Sequence, residues 1–175
     1  MFNVEEYINF MRDNADIPHK SKYHEESFID HVYGVILQVI DTKLPTDNRV
    51  LLLAAALHDI RKPYTIKVVD GNATFHNHEN VCDADLIQFL DKSDKDFYHV
   101  LRLINHHMIP YYMKGPEPWA SEACYNLSEF ILNNGSYMGS ILLMLNEFDS
   151  KSKNHLTEKQ RKRVESYLIL NTRGG

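Results

Sequence analysis

Cysteine is scarce in this chain of 175 residues: Cys82 and Cys124 stand alone and far apart. They offer neither a disulfide framework nor the paired spacing of a structural zinc site, which points to a reducing compartment. No apolar run approaches the roughly 20 residues that a membrane helix needs. Basic residues do not dominate, with 19 Lys and Arg against 24 Asp and Glu and a formal net charge of −5. Sequence-independent binding of long duplex nucleic acid is therefore not expected. The first residues carry Glu5 and Glu6 and lack a basic segment, so no secretory signal is visible. With 43% hydrophobic, 25% charged and 11% aromatic residues, the composition excludes a disordered or low-complexity chain. The expectation is a single soluble, cytoplasmic domain. Histidine is what the chain has in excess, with ten.

The apolar periodicity reads mainly as helix. Val4–Asn14 forms a first amphipathic stretch. Phe28, Val32, Val35, Ile36, Val39 and Ile40 then recur at three- and four-residue steps, one helical stripe. After Pro45, Thr46 or Asp47 is suited to cap the next helix. That helix, Val50–Leu57, is apolar on every side, which marks the buried centre of a helical domain. It ends in His58-Asp59 and stops by Pro63. Thr65, Ile66, Val68 and Val69, the turn dipeptide Asp70-Gly71 and Thr74-Phe75 predict a short hairpin within Tyr64–Phe75. Further helices are expected at about 78–90, 95–105, 121–132, 137–149 and 157–170, with a Pro-rich loop from Ile109 to Trp119. The fold class expected is all-α with one small β-hairpin.

Several potential metal donors lie at the ends of apolar helices. His58 and Asp59 end the most hydrophobic one, where burial costs several kcal/mol unless a partner compensates. His31 borders the stripe of the preceding helix. His78 is expected to open the helix after the hairpin. His107 lies nearer the apolar side of its helix than His106, and Asp149 ends the helix of Ile141, Leu142 and Leu145. Singly, each is also an ordinary core or helix-end residue. Together, a mixed His and carboxylate set suits Mn, Fe, Co, Ni or Zn, with Mg possible, bound as one or two divalent ions.

The ordered set His31, His58-Asp59, His78, His107 and Asp149 resembles the HD-domain superfamily of metal-dependent phosphohydrolases. The run Leu53 to Pro63 looks like that family's central motif, and the resemblance extends over about residues 23–153. Tyr23-His24 before His31, the hairpin followed by Phe75 and His78-Glu79, and Leu103-Ile104 before His107 are most similar to the HD domains of CCA-adding tRNA nucleotidyltransferases and related small hydrolases. No nucleotidyltransferase head is visible, so tRNA addition is not implied.

The resemblance implies that His31, His58, Asp59 and Asp149 hold one ion. It implies a second at His78 and His107 (or His106), with Asp59 bridging. Lys62 matches a lysine implied to contact phosphate. Arg61 stands where the family usually has glycine, and either tolerates the turn or adds a cation near the substrate.

The activity implied is hydrolysis of a nucleotide, cyclic nucleotide or short oligonucleotide phosphoester by a hydroxide held at the metal. Glu79 or His24 would move protons. His24, His106, Tyr111 and Trp119, with Tyr112, are candidate contacts to a small phosphorylated substrate, the aromatic rings by stacking on a base. Two alternatives share the residue set: a diiron oxygenase of the same superfamily, and a nucleotide-binding module without turnover. The basic stretch Lys151, Lys153, Lys159, Arg161, Lys162 and Arg163 is either a solvated helix face or a guide for an anionic substrate.

Overall fold

The structure is a computed structural model, and it describes residues 1–17, 27–42, 48–70, 72–152 and 155–172. His24, the cap positions Thr46 and Asp47, Gly71 and Lys153 lie outside the described residues. Helix α1 (Val4–Asp13) is capped by the Asn3 side chain, which accepts from the Glu6 N–H. Its buried Val4, Tyr7, Ile8 and Met11 follow the i, i+3, i+4, i+7 stripe expected of an amphipathic helix. Helix α2 (Phe28–Asp41) starts at Ser27, whose hydroxyl accepts from the Asp30 N–H. It is buried well beyond a single stripe, and Asp30 and His31 are buried with it.

Helix α3 (Arg49–Leu57) is the centre of the bundle. Leu51 to Leu57 are all buried, as an all-round apolar helix requires. It packs against α2, against α6 (Phe97–His106) and against α8 (Trp119–Lys151). The Tyr7 hydroxyl donates to the Ala56 carbonyl at 2.9 Å, satisfying one of the acceptors that a helix C-terminus leaves open. Helix α9 (Glu158–Asn171) begins with a reciprocal Thr157–Gln160 cap and packs Val164 and Leu168 inward.

A one-turn helix, α4 (Lys62–Thr65), takes Tyr64 and Thr65 out of the expected hairpin. The hairpin is β1 (Lys67–Val69) against β2 (Asn72–Thr74), antiparallel, with Lys67 opposite Thr74. The chain is therefore all-α with one small hairpin.

The expected helix over 78–90 does not form. A turn holds residues 76–79, Cys82 is extended, and only α5 (Asp83–Leu86) is helical. Asn77 sits at φ 62°, and the Asn105 side chain accepts the Val81 N–H at 2.8 Å, an alternative to the helix ladder. Within the expected Pro-rich loop, α7 (Ile109–Tyr112) makes one turn and packs on α8. The two helices expected over 121–149 join as α8, which Gly135 interrupts at φ 86°. Among the described residues, no helix is long and apolar enough to cross a membrane.

Candidate metal centre

Five separate segments converge on the Asp59 carboxylate. His31 comes from α2, His58 and Asp59 from the end of α3, His78 from the 76–79 turn, His107 from the end of α6 and Asp149 from the last turn of α8. Asp59 Oδ2 lies 3.2 Å from both His31 Nε2 and His58 Nε2. Its other oxygen, Oδ1, lies 3.3 Å from His78 Nε2 and 3.8 Å from His107 Nε2. Asp149 Oδ1 joins the first pair, at 3.1 Å from His31 Nε2 and 4.0 Å from His58 Nε2. His31, His58 and Asp59 thus form one buried donor group, and Asp59, His78 and His107 another.

Hydrogen bonding fixes which nitrogen each ring presents. The Nδ1 atoms of His58, His78 and His107 face the carbonyls of Ala55, Phe75 and Ile104 at 2.9, 2.7 and 2.6 Å. His31 Nδ1 faces the Ser152 carbonyl at 3.3 Å. A carbonyl only accepts, so each Nδ1 carries a proton and each ring turns its Nε2 toward Asp59. His78 Nε2 and His107 Nε2 stand 3.2 Å apart, lone pair against lone pair.

The electrostatics agree. Burial pushes His107 down to about 3 and lowers His78 as well, so both are neutral near pH 7. Burial alone would raise the Asp59 carboxyl. The charges of His58 and Lys62 and the contacts of His31 and His58 reverse this and hold it well below the usual range. Asp149 is likewise lowered against its burial, chiefly by His31, although it stands at a helix C-terminus that disfavours an anion.

Among the described residues, buried His58 Nε2 and Asp59 Oδ1 have no hydrogen-bond partner. The lone pairs that neutral His78 and His107 turn on Asp59 Oδ1 and on each other repel unless a cation lies among them. Metal bonds of about 2.1 Å place tetrahedrally arranged donors about 3.4 Å apart, the spacing these atoms show. The residues present fit divalent metal on two counts, then: the facing lone pairs, and a second shell of backbone acceptors that orients every ring.

The flanking residues divide clearly. Lys62 Nζ lies 2.5 Å from Asp59 Oδ2 with its side chain 10% exposed, and 5.4 Å from the centre of the Phe75 ring. Glu79 Oε2 is 3.5 Å from His78 Nδ1, on the side of that ring away from Asp59. Arg61 turns outward, bonded to the Asn80 carbonyl and 3.7 Å from Asp85. Its φ of −88° and ψ of −10° suit any L residue, so the turn does not need glycine.

Of the two neighbouring histidines, His107 enters the cluster. His106 instead bonds the Arg102 carbonyl, rests on Phe130 and borders an adjacent cavity with Glu79. Trp119 and Tyr112 line a hollow beside that cavity, whereas Tyr111 lines neither. His78 reaches the cluster from a turn, not from the helix start expected for it.

The basic stretch is largely neutralised. Lys151 pairs with Glu147, Arg161 with buried Asp30, Lys162 with Glu158 and Arg163 with Asp41. Ser152 is the residue that sequence reasoning did not pick out. Its carbonyl faces His31 Nδ1, and its hydroxyl donates to the His31 carbonyl at 2.7 Å. Comparison with known proteins gives no match to a family model, a curated protein or a solved structure.

Proposed function

We propose that this chain is an HD-type, metal-dependent phosphohydrolase acting on a small nucleotide phosphoester. The observation that carries the reading is the convergence of four imidazole Nε2 atoms on the two oxygens of one buried carboxylate. His31, His58, Asp149 and Asp59 Oδ2 would hold one divalent ion, and His78, His107 and Asp59 Oδ1 a second. Bound there, such ions polarise a phosphoryl oxygen and lower the pKa of water.

The chain's own residues supply the remainder. Lys62 places an ammonium beside Asp59, where it would neutralise an oxygen of a bound phosphate. Glu79, at the wall of the adjacent cavity, would exchange a proton with a ligand lying there and flanks His78. The four backbone carbonyls behind the imidazoles keep the rings oriented before substrate arrives. The donor set alone also suits a diiron oxygenase. The cation at Lys62 favours an anionic substrate and hence hydrolysis.

Steady-state kinetics over 2′-, 3′-, 5′- and cyclic nucleotides, with Mn, Co, Ni and Mg, test this. Phosphate release by the parent should fall by about 10²- to 10³-fold in kcat/KM for Lys62→Ala, with metal content intact. No cleavage of any phosphoester, or iron-dependent oxygen uptake, would contradict the assignment.

A further inference from the structure

A cavity of about 490 Å³ adjoins the His78 and His107 pair, between the 79–80 turn, the end of α6 and the first half of α8. Three of its lining residues, Glu79, His106 and Met108, are chain neighbours of donors. From α8 it receives Asn126, Glu129, Phe130, Asn133 and Asn134. These fall at i, i+3, i+4, i+7 and i+8, one helix face. On this face Phe130 is buried, while Asn126, Glu129 and Asn133 are exposed and present amides and a carboxylate to the cavity. Among the described residues, neither Asn126 nor Asn133 spends its side chain on a hydrogen bond within the protein, in contrast to Asn134, which bonds Arg102 and the Phe130 carbonyl.

A second hollow, of about 450 Å³, shares Ile109, Tyr112 and Asn126 with the first and adds Trp119. Tyr112 is 42% exposed and Trp119 60%, so two aromatic faces remain available at its wall. Among the described residues, the charged groups lining the two hollows are carboxylates, Glu79, Glu122 and Glu129, with no Lys or Arg. Such a lining disfavours a phosphate by like-charge repulsion. It offers donors and acceptors to an uncharged polar group, and its volume falls within the roughly 300–1,000 Å³ usual for small-ligand sites.

Resting on the phosphohydrolase reading, we propose that this amide-lined cavity receives the nucleoside part of a nucleoside monophosphate whose single phosphate lies at the donor cluster. Asn126 and Asn133 meet the edge of the base or the ribose hydroxyls. Tyr112 and Trp119 supply a stacking surface. Glu129 accepts from an amino or hydroxyl group and repels a second phosphate. Specificity for a monophosphate over a diphosphate therefore resides in the lining, not in the metal donors.

Calorimetric titration of the full chain with the four common nucleosides and their 5′-mono- and diphosphates tests this without requiring turnover. At least one free nucleoside should bind. The Asn126→Leu, Asn133→Leu double variant should weaken that binding by about tenfold or more while its circular dichroism matches the parent. Glu129→Lys should shift the ratio of diphosphate to monophosphate affinity by roughly tenfold toward the diphosphate. Absence of nucleoside binding, parent-like binding by the double variant, or an unchanged ratio in Glu129→Lys would each overturn the proposal. Nucleoside binding that responds to these substitutions, with no phosphate released from any ester, would uphold the subsite and contradict hydrolysis.

Discussion

At the scale of single residues, the cluster depends on small contacts behind the donors. A Cβ added to Gly34 would lie 2.1 Å from the Ser152 hydroxyl oxygen, so that buried serine must move. Ser152 holds His31 at both its ring and its backbone, and the displacement would tilt the imidazole away from Asp59. Gly34→Ala should weaken the His31 and His58 site by about 10- to 100-fold while the His78 and His107 site keeps its affinity. Metal titration followed by calorimetry would read the two sites separately, and equal affinities in parent and variant would contradict the role of Ser152. The donors were legible in sequence because polar residues at the ends of apolar helices are conspicuous. Ser152 was not, since a carbonyl contact across so many residues leaves no pattern.

The same imidazoles set an acid limit. In metal-free protein, the folded state keeps His78 and His107 neutral, whereas the unfolded chain takes up their protons near pH 6.5. Unfolded chain then binds more protons, so stability falls as pH drops from about 6.5 toward the depressed folded values. Asp59 and Asp149, also depressed, add a loss of the same sign at lower pH. Urea denaturation of metal-free protein should give a lower midpoint at about pH 5 than at about pH 7. Equal midpoints would show that the buried rings are not held neutral.

At the scale of elements, α3 is anchored where its dipole is least favourable to a cation. Arg49 opens the helix with its side chain 6% exposed, and its two terminal nitrogens meet Asp94 at 2.8 and 2.6 Å. Asp96, the residue before α6, takes a further bond from it. Removing the cation would strand Asp96 and leave Asp94 only the N-terminal ammonium at 3.2 Å, so Arg49→Ala should cost about 3 kcal/mol in a chemical denaturation curve. A loss below about 1 kcal/mol would make the pairing no stronger than a surface one. Helices α1, α2, α3, α6 and α9 follow their apolar spacing, and the two helices expected over 121–149 are the two halves of α8 on either side of Gly135. The 78–90 segment misleads because Val81, Leu86, Phe89 and Leu90 are buried without forming one helix face. Asn77 at positive φ and the Asn105 side chain decide the local backbone instead, and the latter is a tertiary contact.

At the scale of the whole molecule, the bundle brings together donors that are remote in sequence, and it buries them in two groups whose spacing suits a metal ion. Metal uptake should therefore also stabilise the folded chain, because the unfolded chain lacks the site. The most direct test of the account is elemental analysis of the purified chain after incubation with Mn, Co, Ni or Zn and removal of loose ions. The parent should retain two ions per chain, His78→Ala one and Asp59→Asn none, with parent-like circular dichroism in all three. A parent chain that retains no metal, or an Asp59→Asn chain that retains as much as the parent, would contradict the central claim.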